Sequence, residues 1–205
     1  MLTHQLKILF FLLLVLNLSC NDHEEFQDDP NSTTEANPGL LLTNIEVSAL
    51  NSIDLNAAMA CRYLVNVNLT EDAQYYGWDR ASFGFYNTLR QVKKMEEEAE
   101  NFNNINFLAI AKFFKAFVYE QITRQFGDIP LSDALEAEQG NYTPVYDKQE
   151  DVYLRIFELL EEANDLIETN GPAINGDVVF SGDLQKWKKL FNSFHLRVLM
   201  SLSKK

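Results

Sequence analysis

The sequence predicts an all-α fold in which amphipathic helices stack in pairs. Apolar residues recur at intervals of three and four in five successive stretches instead of alternating in and out. Helix-breaking residues fall between those stretches, with Gly127 and Pro130 after the third and Asn170-Gly171-Pro172 after the fourth. The chain has 205 residues, 46% of them hydrophobic and 12% aromatic, which is enough apolar surface for one domain around one core.

The first element is not expected in the mature protein. MLTHQLK carries Lys7 and leads into the apolar run Ile8 to Leu16, followed shortly by polar Asn21-Asp22-His23. Nine apolar residues cannot cross a hydrocarbon core, which takes about 20, so residues 1–19 read as a signal peptide that directs export. Leu16-Asn17-Leu18-Ser19-Cys20 sets a small residue before a cysteine at the end of that run, the arrangement of bacterial lipoprotein signals, although Asn17 stands where an aliphatic residue is usual. Cys20 is the expected lipid attachment site, and the lipid would hold the chain at a membrane. The alternative is a soluble secreted protein in which Cys20 merely ends the signal. With Cys20 acylated, Cys61 has no partner and reads as a small buried hydrophobe; a Cys20–Cys61 bridge would need both thiols free.

Residues 20–38 contain one large apolar residue, Phe26, among acids, Asn, Ser, Thr and Pro, and read as an acidic spacer. The helical domain is expected over 39–205. Its first helix carries Leu42, Ile45, Ala49, Ile53, Ala57 and Leu64 along one face. A second starts near Ser82 and presents Phe85, Leu89, Val92, Met95, Ala99 and Phe102, with Lys93–Glu97 and Lys94–Glu98 as pairs on the wet side. Residues 105–126 are apolar nearly all round (Leu108, Ile110, Phe113, Phe114, Phe117, Val118, Ile122), which predicts a central, surrounded helix. Gly127 suits the left-handed position after it. Asp147 and Glu150 form a capping box for a fourth helix reaching Glu168, with Val152, Ile156, Leu159, Leu160, Ala163, Leu166 and Ile167 inward and Glu158, Glu161, Glu162 and Asp165 outward. Trp187, Leu190, Phe191, Phe194 and Val198 mark a fifth helix running to the last residue. No cap closes it, so a chain shortened at its C-terminus is expected.

Thirty acidic against 17 basic residues give a formal net charge of −13, which repels nucleic acid. The one dense basic group, Lys186, Lys188 and Lys189 around Trp187, sits on an amphipathic helix. The histidines, His4, His23 and His195, fall in the signal, the spacer and the last helix, so no metal cluster or His-based triad can assemble. Glu96-Glu97-Glu98 and Glu161-Glu162 read as solvated helical faces, not acid/base pairs. The dispersed glycines form no phosphate loop. The expectation is a binding module that is not an enzyme and needs no cofactor. One loop stands out: Ala73 to Phe85, with Tyr75, Tyr76 and Trp78 beside Asp79 and Arg80. Flat rings cover the apolar faces of sugars while polar flanks take the hydroxyls, so these five residues are the candidate ligand site. In the competing reading Trp78 and one tyrosine fold back onto the helices.

Four blocks in order resemble the SusD/RagB family of outer-membrane nutrient-binding lipoproteins of Bacteroidetes. They are Cys20 followed by DDPNSTT; FLAIAKFFKAFVYEQITRQFGDIPLSDAL, closing in Gly127-Asp128-Ile129-Pro130; TPVYDKQEDVYLRIFELLEEANDLI; and FSGDLQKWKKLFNSFHLRVLMSLSKK, with Gly182-Asp183, Trp187-Lys188-Lys189, Asn192-Ser193 and Leu196-Arg197. The resemblance implies stacked tetratricopeptide-like helix pairs, lipid anchoring at the outer membrane with the protein facing outward, and two partners: a TonB-dependent SusC-like transporter and an oligosaccharide or other nutrient. The acids Asp22, Glu24, Glu25, Asp28 and Asp29 after Cys20 resemble the surface-export signal of Bacteroidetes lipoproteins. The chain is much shorter than typical members, whose C-terminal half supplies part of the ligand site. The rival expectation keeps the helical scaffold but makes it a protein-interaction or assembly lipoprotein without glycan binding.

Overall fold

The structure is a computed structural model describing residues 37–50, 55–77 and 81–203. The expectations placed on the signal peptide, on Cys20 and on the spacer up to residue 36 lie outside the described residues. The compact unit Ala36–Lys205 holds every described element.

Helix α1 (Pro38–Leu50) starts where Asn37 Oδ1 accepts the Gly39 N–H at 2.9 Å, with Pro38 in the first turn, where its missing N–H costs nothing. It buries Leu42, Ile45 and Ala49. A short helix, α2 (Leu55–Ala60), follows, so the helix expected to continue to Leu64 stops early. The Tyr63 and Leu64 N–H groups both turn back to the Ala58 carbonyl, Arg62 enters the left-handed region at φ +64°, and Leu64 is exposed. Ile53 lies outside the described residues. Cys61 corrects a second expectation: it is a free, exposed thiol just past the end of the helix at Ala60.

Helix α3 (Phe85–Asn101) begins three residues later than the spacing of apolar residues suggested, after Gly84. Leu89, Val92, Met95 and Ala99 face the core. Helix α4 (Ile105–Phe126) is central as expected: it packs against α1 and α3, against α5 (Gln149–Leu166) and against α6 (Leu184–Leu202). Its Phe113 and Phe114 have no exposed surface, and together with Trp187, Phe191 and Phe194 from α6 they make an aromatic core of edge-on and stacked rings with centroids 4.9 to 6.1 Å apart. The described residues contain helices and no strand beyond a single antiparallel bridge, Ile129 to Asp147.

That bridge explains the turn between α4 and α5. Gly127 ends α4 with φ +79° and ψ −116°, a region only glycine enters without strain; a Cβ there would meet no atom within 4 Å, so backbone conformation alone demands the glycine. The capping box expected from Asp147 and Glu150 does not form. Asp147 turns away from its own helix and accepts from the Leu131 N–H, the Ser132 N–H and the Ser132 hydroxyl at 2.8 to 3.1 Å. The first turn of α5 is served from across the chain, by Asp128 Oδ1 accepting the Gln149 N–H at 2.9 Å. Burial favours a neutral Asp147, but the Ser132 and Leu131 donors outweigh it and hold the carboxyl below its usual range.

Two acidic runs expected in water are partly inside. Glu96 and Glu98 are on α3 faces that meet other elements. Lys112 and Lys115 of α4 bind Glu96 at 2.7 and 3.0 Å, and Lys94 binds Glu98 at 2.7 Å. Lys112 also reaches Glu162, which Arg155 holds at 2.8 Å, so α3, α4 and α5 share one ionic network. Lys93 does not pair with Glu97; its ammonium donates to the Leu135 carbonyl at 3.1 Å.

Candidate functional site

The loop singled out by its aromatics is built from a single turn of 3₁₀ helix, Asp72–Tyr75. Asn66 fixes it from the preceding segment: its backbone N–H donates to Gln74 Oε1 at 2.8 Å and its side-chain amide to Glu71 Oε1 at 3.1 Å, while its own carbonyl oxygen accepts from the Asn68 and Leu69 N–H groups. The buried Ala73 anchors the turn, and α2 packs beside it. Tyr76 then takes a left-handed backbone at φ +61° and Gly77 N–H closes on the Asp72 carbonyl at 2.8 Å. A Cβ on Gly77 would come within 3.0 Å of the Asp72 side chain.

The turn leaves Tyr75 72% and Tyr76 61% exposed, and neither ring stacks on another described aromatic. Of the competing reading, the tyrosine part does not describe these two side chains. Trp78, Asp79 and Arg80 lie outside the described residues, so the structure neither joins them to the tyrosines nor parts them. Later in the loop the ring of Phe83, itself partly exposed, stacks on Phe126 with centroids 4.3 Å apart.

The structure adds residues that the loop alone did not flag. Tyr63 is 86% exposed, and Val65, Val67 and Leu69 are also open to solvent, all in the irregular segment that Asn66 ties to the 3₁₀ turn. Their signal is visible in the sequence as Leu64-Val65-Asn66-Val67-Asn68-Leu69-Thr70, a run with no helical period once α2 has ended. Residues 63–76 thus form a braced segment rich in exposed phenol and aliphatic groups, with amide and carboxylate side chains between them. Such a surface can cover the apolar face of a flat ligand and hydrogen-bond its edges; the described part of it offers no nucleophile with an adjacent base. Among the described residues no group of His, Cys, Asp and Glu is arranged to hold a metal ion.

Elsewhere, Trp187, Asp183 and Arg197 of the family-resembling blocks act as scaffold. Trp187 has no exposed surface and its indole N–H donates to Asp177 Oδ2 at 2.8 Å. Asp183 caps α6 by accepting from the Gln185 and Lys186 N–H groups. Arg197 lies 4.5 Å over the Phe194 ring and 3.7 Å from the buried carboxylate of Glu120.

A family model described as starch-binding, associating with the outer membrane, and named SusD-like, matches residues 30–205. Among solved structures, the chain is similar to a SusD homologue of Bacteroides fragilis, with 41% identity and a TM-score of 0.73, over 82% of this chain and 36% of that one. It is similar to an outer-membrane protein of Bacteroides vulgatus whose description refers to nutrient binding, with 42% identity and a TM-score of 0.73, over 83% and 37% of the two chains. A chitin-binding protein shares 26% identity and a TM-score of 0.61, over 80% and 38%. This chain therefore spans a little over a third of the length of these solved relatives. A comparison with functionally curated proteins gives no match.

Proposed function

The chain belongs to the SusD/RagB family, and on that premise we propose that it is an outer-membrane lipoprotein that captures an oligosaccharide and hands it, chemically unchanged, to a TonB-dependent transporter. The observation that carries the glycan part is the exposure of Tyr75 and Tyr76 on a turn braced by Asn66, a segment that holds aromatic surface in water instead of hiding it. Exposed rings held by a rigid frame bind sugars at low entropic cost. The starch-binding description of the matched family and the chitin-binding relative support a glycan over other nutrients. Cys20 is the proposed lipid attachment site after removal of residues 1–19, with 20–38 as the tether and the folded part beginning around 39. Trp78, Asp79 and Arg80 complete the proposed binding loop next to Tyr75 and Tyr76.

Calorimetric titration with starch and chitin oligosaccharides tests the site. Tyr75→Ala/Tyr76→Ala and Trp78→Ala are expected to weaken binding at least tenfold, about 1.4–3 kcal/mol for one or two stacked rings, and the tyrosine variant is expected to keep its melting temperature because both side chains are exposed. Undiminished affinity in both variants would move the site away from this loop.

A further inference from the structure

A second surface differs from its surroundings in charge. Gln185, Lys188, Lys189, Asn192 and Ser193 lie at i, i+3, i+4, i+7 and i+8 on α6, so they form one stripe on the side opposite Trp187, Phe191 and Phe194. Facing it is Thr169, in the turn that follows α5. The groove between them has a volume of about 530 Å³, and no carboxylate of the described residues lines it.

Three features set this groove apart from an ordinary solvated face. The first is charge. In a chain of net charge −13, the Lys94, Lys112, Lys115 and Lys186 ammonium groups each lie within 4 Å of a carboxylate. Lys188 and Lys189 pair with no described acid; Lys93 and Lys148 share that, but only Lys188 and Lys189 are neighbours on one helix. The second is hydrogen-bonding capacity: the Thr169 and Ser193 hydroxyls, the Gln185 amide and both ammonium groups make no hydrogen bond within the described protein. The third is rigidity. Asn192 is held by Asn164 Oδ1 at 2.9 Å and by the Lys188 carbonyl at 2.8 Å, and the Thr169 turn is pinned by the Glu168 N–H donating to the buried Asn106 at 2.9 Å. Two cations and several neutral donors thus line a preformed wall whose stripe runs about 12 Å along the helix at 1.5 Å per residue.

We propose that this groove binds an acidic oligosaccharide, its lysines meeting carboxylate or sulfate substituents and its hydroxyls and amides meeting the sugar hydroxyls. A bare anion needs only the ammonium groups; the neutral donors spread along the stripe favour a polyol that carries the charge. Unpaired cations inside an acidic surface concentrate such a ligand locally, and their contribution weakens with salt. The site lies on α6 and Thr169, not on residues 63–80, so it shares with the proposed function only the premise that the ligand is a saccharide.

The test titrates the purified chain with trigalacturonate, with a sulfated disaccharide, with neutral maltotriose and with inorganic sulfate, at 50 and 300 mM NaCl. The chain is compared with its Lys188→Gln/Lys189→Gln and Tyr75→Ala/Tyr76→Ala variants. The expected result is binding of trigalacturonate or the sulfated disaccharide that weakens at least threefold at the higher salt. It should fall at least tenfold in the lysine variant and hold in the tyrosine variant. The two acidic sugars separate carboxylate from sulfate recognition. Acidic-sugar affinity untouched by the lysine variant would overturn the proposal, as would maltotriose binding equally well at the groove or inorganic sulfate binding as tightly as the acidic sugars. Loss of acidic-sugar binding in the tyrosine variant alone would overturn it too, while leaving the tyrosine site standing. The absence of binding by any saccharide would remove both.

Discussion

Glu46 shows how one buried side chain sets a condition on the fold. It is 1% exposed on α1; its Oε2 accepts the Val178 N–H at 2.8 Å, and its Oε1 has no hydrogen-bond partner among the described residues. Burial, reinforced by the neighbouring Asp177 carboxylate, pushes its pKa up to about 8. As a neutral acid it has a proton to offer Asp177. Burial also acts on Asp177, yet the Phe180, Trp187, Gly182 and Val179 donors hold that carboxyl below its usual value, so the pair divides into one neutral acid and one anion. The sign for Glu46 follows from linkage: the folded state keeps a proton that the unfolded chain releases near 4.5. Its contribution is therefore complete below that pH and is lost as pH rises towards 8. Asp177 and Asp147, with depressed values, act oppositely: their contribution is present above about pH 4 and lost as pH falls. Glu46→Gln is expected to be about 1–3 kcal/mol more stable than the native chain at pH 8.5 and nearly equal to it at pH 4.5 in urea denaturation. Equal stability at both pH values would mean that Glu46 is ionised in the folded protein.

At the scale of elements, the helices with regular apolar faces were legible and their joints were not. The residues Val152, Ile156, Leu159, Leu160 and Ala163 face the core as their spacing indicates, because a 3.6-residue period leaves few other ways to bury them. Asp147 was misread because Asp-x-x-Glu before an apolar run is a local signature, whereas its actual partners, Leu131 and Ser132, are distant in sequence. Asp128 serves α5 from 21 residues away, which no local pattern can reveal. The same limit hid the inward position of Glu96, whose partners Lys112 and Lys115 are on the next helix. In the candidate site, the aromatic loop was visible in composition, but the bracing by Asn66 and the exposure of Tyr63 were not, since both depend on where α2 ends. Gly127→Ala is expected to cost about 1–3 kcal/mol, from forcing an L-residue to positive φ and not from any clash. Asp128→Ala should cost about 0.5–2 kcal/mol by leaving the first turn of α5 uncapped. Chemical denaturation of each variant checks both; an unchanged midpoint for Gly127→Ala would show that the turn can adopt another conformation.

For the whole molecule, the arrangement of helices follows from α4. It carries the aromatic face that α6 covers and the lysines that tie α3 to α5, so the core and the ionic network meet on one helix. Burial raises the cost of charge on Glu96 and Lys112, and their mutual contacts outweigh it: the Glu96 carboxyl is held below its usual value and the Lys112 ammonium above. Lys112→Ala is expected to destabilise the fold by about 1–3 kcal/mol, because Glu96 would remain largely buried with Lys115 as its one cation. A loss of less than a few tenths in thermal denaturation would show that Lys115 alone satisfies it.

The claim that joins these scales is that the chain holds a glycan without altering it. The most direct measurement is to equilibrate the purified chain with starch and chitin oligosaccharides, separate bound from free sugar, and weigh both fractions by mass spectrometry. A bound fraction of unchanged mass, with no shorter products after prolonged incubation, is the predicted result. Shortened products in proportion to protein concentration, or no retained sugar at millimolar ligand, would contradict the account.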